Sequence, residues 1–211
     1  MGRNTHSFLG LDNMKSNAVY FLTGIGASLA VGLITNLVTG IGIDHGVATF
    51  LAVAAIDVIL LVVYNEQFYM QVRTLIFPSI GITAASAYFI LFYFIHDEHI
   101  VISAPGGFFD YVIYFINIAI LIPLFEEITV RRLMFIGASH YIGPTFSALF
   151  VSALFAATHS GLFLFAFIFS IIMCLMTWNG VSTYSRAILH GSYNGTLSML
   201  WIIFGINEVP Q

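Results

Sequence analysis

The sequence predicts an all-α fold, a polytopic membrane helix bundle of about seven transmembrane helices, and three observations predict it. Of its 211 residues, 59% are hydrophobic and only 8% charged, against roughly a quarter charged in an ordinary soluble domain. The apolar residues gather into runs, most of them long enough to cross a hydrocarbon core of about 30 Å. No stretch alternates apolar and polar residues as a half-buried strand would. The lipid bilayer is therefore the first partner of the chain.

Charge excludes another class. The net charge is −4 and the six Lys and Arg are scattered, so no basic face is available for phosphates and nucleic acid is not a partner. The length suits one domain, and no linker rich in Ser, Pro or charge divides it. Residues 1–211 read as a single transmembrane domain: a cytoplasmic N-terminal segment over 1–17, three accessory helices over 18–96, and a core of four helices over 109–206. Cys174 is the one cysteine, which precludes an internal disulfide; its apolar run makes it a small buried hydrophobe. The first residues lack the apolar region and cleavage site of a signal peptide, so the N-terminus is expected to be retained.

The first span covers 18–39. Gly24, Ser28 and Gly32 recur every four residues along it, a pattern of small residues that lets a neighbouring helix approach closely, or a second copy in a homodimer. GIGIDHG over 40–46 is a turn. The second span, 47–64, carries Asp57 in mid-helix, a candidate for function because an acid at that depth is costly, but no second ionisable group shares its helix and it reads better as a protonated or hydrogen-bonded packing residue. The third runs over 75–95. The loop that follows carries His96 and His99, whose spacing would suit a metal but reads better as a solvated loop. The fourth span covers 111–137, and the fifth 144–159, with Pro144 placed for a first helical turn. The aromatic sixth covers 162–178 and the seventh 182–204. Arg3, Lys15, Arg73 and Arg186 fall on one side, while the loops near Asp44 and from Asp97 to Asp110 contain no Lys or Arg. The N-terminus is thus expected in the cytoplasm and the C-terminus outside.

One stretch costs more to bury than any other. LIPLFEEITVRR, residues 121–132, holds two adjacent glutamates and two adjacent arginines in an apolar region. Each ionised side chain at the bilayer centre costs roughly 2.5–3.5 kcal/mol on insertion scales, so such residues persist only if they pair or do chemistry. On a helix, residues four apart share a face. Glu127 and Arg131 are natural partners, and Glu126 is turned away by about 100° toward other helices. The same spacing recurs in Phe155 with His159 and in His190 with Asn194. At about 1.5 Å per residue, Glu126, His159 and His190 all fall in the middle of the membrane.

A glutamate beside a histidine can hold a water and take its proton. A second imidazole and an amide can donate hydrogen bonds to the oxyanion formed when that water attacks a carbonyl. Glu127, paired with Arg131, and Glu126, turned toward other helices, would thus have different tasks.

EExxxR at 126–131, FxxxH at 155–159 and HxxxN at 190–194, in this order on successive apolar helices, resemble the three motifs of the CAAX protease and bacteriocin-processing family, also called Abi. That resemblance implies a hydrolase performing intramembrane proteolysis near the cytoplasmic leaflet, in the plasma membrane of a prokaryote, on a peptide or prenylated-protein substrate. It implies that Glu126 and His159 activate the water, that His190 and Asn194 form the oxyanion site, and that Glu127 with Arg131 is the supporting pair. It also implies a metal-free reaction with no cofactor, zinc on glutamate and histidine being the alternative that a chelator would reveal. Where the family has glycine after the motif arginine, this chain has Arg132. The non-catalytic alternative is a bacteriocin immunity or scaffold protein of the membrane; a proton-coupled transporter is disfavoured, since neither an inverted repeat nor a pair of interrupted helices is visible.

Overall fold

A computed structural model describes residues 14–64, 72–95, 107–159 and 162–204. Of these, 92% are helical and none forms a strand. In chain order the elements are α1 Met14–Gly40, α2 His45–Val63, a 3-10 turn Val72–Ile76 leading into α3 Phe77–Ile95, α4 Phe108–Ala157, α5 Phe163–Trp178 and α6 Thr183–Phe204. Four stretches, Asn17–Gly40, His45–Val63, Thr74–Phe92 and Phe108–Ala157, are long and apolar enough to cross a membrane, and Phe163–Trp178 is shorter. The loop with His96 and His99 lies outside the described residues.

The side chains are distributed as lipid demands. On α1, Leu22, Leu29, Leu33 and Leu37 are exposed along the whole helix, whereas Glu127, Arg131, Ser147, Ser152 and Ser170 are fully buried. Apolar groups outside and polar groups inside is the arrangement expected where the solvent is hydrocarbon and polar atoms must find each other.

The expected count of seven helices is not confirmed: the described residues form six helical runs. The spans expected at 111–137 and 144–159 lie in one run made of two helices that meet at a kink, at Gly143, whose φ of 75° and ψ of 160° depart from helical geometry. That region of backbone space is open essentially to glycine alone. Helical geometry resumes at Pro144, whose fixed φ suits the first position of a helix and whose missing N–H is not needed there. A second correction concerns regularity. The spacing of the motif implied an unbroken α-helix, yet Asn117–Leu121 and Glu127–Phe135 are π-helical. In these turns each N–H reaches the carbonyl five residues back, a widening that recurs at functional sites. Pro123 lies between the two π stretches and has no N–H to return to the Ala119 carbonyl four residues earlier.

The contacts group into two compact units, neither continuous in sequence. The first joins Met1–Gly32 with Glu126–Thr183, and the second joins Leu33–Phe125 with Tyr184–Gln211.

In the first unit the core gathers Val130, Met134, Phe135, Val151, Phe155 and Cys174, with Phe21 and Ile25 of α1 packed against it. Cys174 is fully buried, as its apolar run implied. Gly24 is where α1 comes closest: a methyl there would stand 2.5 Å from Met134 Cγ and 2.8 Å from the Thr129 carbonyl oxygen. Nothing lies within 4 Å of the same point on Gly32, so of the small-residue face of α1 the Gly24 end packs within the unit.

In the second unit Asp44 caps α2, accepting hydrogen bonds from the N–H groups of Gly46 at 2.8 Å and Val47 at 3.1 Å. This closes the 40–46 turn and satisfies two donors that the first turn of a helix leaves open. Phe89 and Phe92 of α3 meet Trp201 of α6 edge-on, with ring centroids 4.9 and 5.4 Å apart. The Thr74 and Ser185 hydroxyls hydrogen bond at 2.6 Å in the interior.

Candidate active site

The candidate residues fall in both units. The first holds Glu126, Glu127, Arg131, Phe155 and His159, and the second holds His190 and Asn194.

Glu126 ends the short α-helical turn Ile122–Glu126, and Glu127 begins the π-helical stretch. The two adjacent carboxylates sit in different surroundings: Glu127 is 0% exposed, while Glu126 is half-buried. Arg131 is also 0% exposed, and its Nε lies 3.6 Å from Glu127 Oε1. The pairing expected from the spacing is present although the backbone there is π-helical. A buried pair of this kind is justified by what its rupture would leave behind, a charge in the interior with no counter-ion.

Arg131 has a second neighbour. Its guanidinium carbon stands 4.3 Å from the centre of the Phe155 ring, within the range where a cation is attracted by the ring face. Among the described residues, none of its three nitrogens has a hydrogen-bond partner. The Phe155 ring in turn lies 4.4 Å from the His159 ring, tilted by 38°. One chain of contacts, Glu127 to Arg131 to Phe155 to His159, thus links the first motif to the second.

His159 is half-buried at the end of α4. Its Nδ1 lies 2.8 Å from the Phe155 carbonyl oxygen and 3.2 Å from the Thr158 hydroxyl, which itself donates to that carbonyl at 2.7 Å. A carbonyl oxygen can only accept, so Nδ1 carries the proton and donates. In the neutral ring Nε2 is then the nitrogen with a free lone pair.

In the second unit, His190 is 3% exposed and Asn194 is half-buried, one turn apart on α6. Each is followed by a glycine. A methyl on Gly191 would collide with the Ala119 carbonyl oxygen, and one on Gly195 would stand 3.1 Å from Ala119 Cβ. On the other side of α6, a methyl on Gly81 of α3 would stand 2.5 Å from the Leu189 carbonyl oxygen and 2.8 Å from Ser192 Cβ. The segment bearing His190 and Asn194 is thereby gripped by main chain on two sides. These glycines were legible in the sequence as a pair four apart, the spacing that lets helices approach closely, but the motif drew attention to His190 and Asn194 instead.

Asp57 lies on α2 in the second unit, 2% exposed, with no hydrogen-bond partner for either carboxylate oxygen among the described residues. No three His, Cys, Asp or Glu side chains among the described residues come together as a metal site would require.

Neither the curated proteins nor the solved structures contain a match to the chain. Residues 108–196, the stretch that carries all three motifs, match the model of the family described as type II CAAX prenyl endopeptidase Rce1-like.

Proposed function

We propose that the protein is an intramembrane endopeptidase that hydrolyses a peptide bond near the cytoplasmic leaflet, in the manner of a CAAX-type prenyl protease. The observation that carries the proposal is the family match over 108–196, which encloses Glu126, His159 and Asn194 in the order and spacing read from the sequence. The buried Glu127–Arg131 pair and the orientation of His159 support it.

In this reading Glu126 and His159 Nε2 hold one water. As its oxygen attacks the scissile carbonyl carbon, Glu126 takes the proton, and the carbonyl oxygen becomes an oxyanion that His190 and Asn194 stabilise by donating hydrogen bonds. Collapse of the tetrahedral intermediate breaks the C–N bond, and the proton passes from Glu126 to the leaving amine. Glu127 and Arg131 hold the helix turn from which Glu126 projects. The N-terminus lies in the cytoplasm, on the side of Arg3, Lys15, Arg73 and Arg186.

Mass spectrometry of membrane peptides from matched cells carrying wild type or Glu126→Gln tests this whatever the substrate is. The variant is expected to insert and unfold thermally like wild type while uncut precursors accumulate. General acid–base catalysis contributes about 10²- to 10⁴-fold, so product should fall by at least that lower factor. Identical peptide profiles from the two cell lines refute the assignment.

A further inference from the structure

Phe155 is 6% exposed and touches both the ionic and the titratable ends of the first unit's polar chain. Its ring meets the Arg131 guanidinium at 4.3 Å and the His159 ring at 4.4 Å, and its own carbonyl oxygen is the acceptor 2.8 Å from His159 Nδ1. One residue therefore touches His159 twice, through its ring and through its main chain.

We propose that Phe155 is a positioning residue for His159: its carbonyl fixes which imidazole nitrogen bears the proton, and its ring, pinned by Arg131, fixes the plane in which Nε2 is presented. The inference rests on the reading of His159 as part of the water-activating pair. The physical argument is one of restraint. A single hydrogen bond at Nδ1 leaves the imidazole free to swing about that bond, and a ring against its face removes that freedom. The phenyl ring must itself be fixed to do so. The guanidinium fixes it: Arg131 is itself held beside the Glu127 carboxylate at 3.6 Å, and its guanidinium carbon stands 4.3 Å from the centre of this ring.

Nitrogen-15 spectra of the histidine side chains in the full chain, solubilised in detergent, test the proposal. His159→Gln identifies the His159 signals by their loss. In wild type, at a pH where the imidazole is neutral, His159 is expected as a single tautomer protonated at Nδ1. Phe155→Leu, which keeps the carbonyl and an apolar side chain but removes the ring, is expected to keep that tautomer while the imidazole plane loses its restraint, read as a lower order parameter of the His159 ring, and Phe155→Tyr, which restores a ring, to return the order. A wild-type His159 protonated at Nε2, or a folded Phe155→Leu protein whose imidazole is as ordered as in wild type, overturns the proposal. Should Phe155→Leu fail to fold, trifluorophenylalanine at position 155 keeps the shape of the ring and weakens its attraction for the guanidinium. An imidazole order unchanged by that replacement counts against the pinning by Arg131.

Cleavage of a farnesylated CAAX peptide by the same proteins separates this inference from the function proposed above. Phe155→Leu is expected to lower kcat by about tenfold or more with KM unchanged, a part of the 10²- to 10⁴-fold that a positioned acid or base supplies. If Glu126→Gln cleaves like wild type, the proposed function fails while the nitrogen-15 spectra still decide the role of Phe155. If Glu126→Gln is inactive and folded Phe155→Leu keeps full kcat, the inference alone fails.

Discussion

Gly191 of α6 stands so close to the carbonyl oxygen of Ala119 that a methyl group on the glycine has no room. Its neighbour one turn on, Gly195, faces the Ala119 side chain, where an added methyl would lie 3.1 Å from Cβ. The two glycines meet obstacles of different kinds, main chain in one case and a removable methyl in the other. Between them they set how closely the segment with His190 and Asn194 approaches the π-helical stretch Asn117–Leu121.

Gly191→Ala is expected to destabilise the protein by about 1–3 kcal/mol, the usual cost of overpacking. The upper end applies, because a backbone rather than a side chain must give way. Gly195→Ala is expected to cost less and to be rescued by Ala119→Gly, whereas Ala119→Gly leaves Gly191→Ala unrescued. Thermal unfolding midpoints of the four variants in detergent read the outcome, and equal rescue of both would contradict the assignment of the obstacle to main chain.

The Glu127–Arg131 pair predicts a coupled loss. Glu127→Gln leaves the Arg131 guanidinium, 0% exposed, without its counter-ion, and breaking a buried pair in this way costs about 3–5 kcal/mol. Glu127→Gln with Arg131→Met removes both charges and is expected to be more stable than Glu127→Gln alone. A double-mutant cycle on unfolding free energies measures the coupling, and simple additivity would mean that the two side chains do not act as a pair.

Gly143 predicts a contrast between two glycines of similar freedom from neighbours. Nothing lies within 4 Å of a methyl placed on either Gly143 or Gly26, but Gly143 has φ 75° and ψ 160° while Gly26 is in regular helix. Gly143→Ala is expected to cost about 1–3 kcal/mol through backbone strain alone. Gly26→Ala is expected to gain up to about 1 kcal/mol, the helix preference of alanine over glycine. Unfolding midpoints of opposite sign would bear this out.

Metal removal is expected to leave cleavage unchanged, because the proposed water-activating pair is a carboxylate and an imidazole and no third donor joins them in a metal site among the described residues. Cleavage in the presence of 1,10-phenanthroline tests it. Loss of activity that zinc alone restores would assign Glu126 and His159 as ligands instead.

Much of this was legible in the chain itself. Apolar runs located the helices to within a few residues because lipid tolerates little else, and Asp44 and the glycines around it marked the turn before α2. The i,i+4 spacing paired Glu127 with Arg131, and the same spacing marked Phe155 with His159. The helix count was less legible, because a run of apolar residues says nothing about whether a glycine and a proline end a helix or kink it. Gly143 and Pro144 interrupt α4 for a single residue. The π-helical turns were also out of reach, because hydrogen bonds to the fourth or the fifth residue back are compatible with the same hydrophobic pattern.

The sequence by itself determined that polar groups would be buried in a helical membrane protein and which of them lie four residues apart, because helical spacing is local. Only the tertiary structure decided that the Phe155 ring stands between Arg131 and His159 in one chain of contacts, and that Ala119 meets Gly191. Contacts across separate helix segments depend on how closely two backbones approach, and that distance is set by packing rather than by any stretch of sequence read alone.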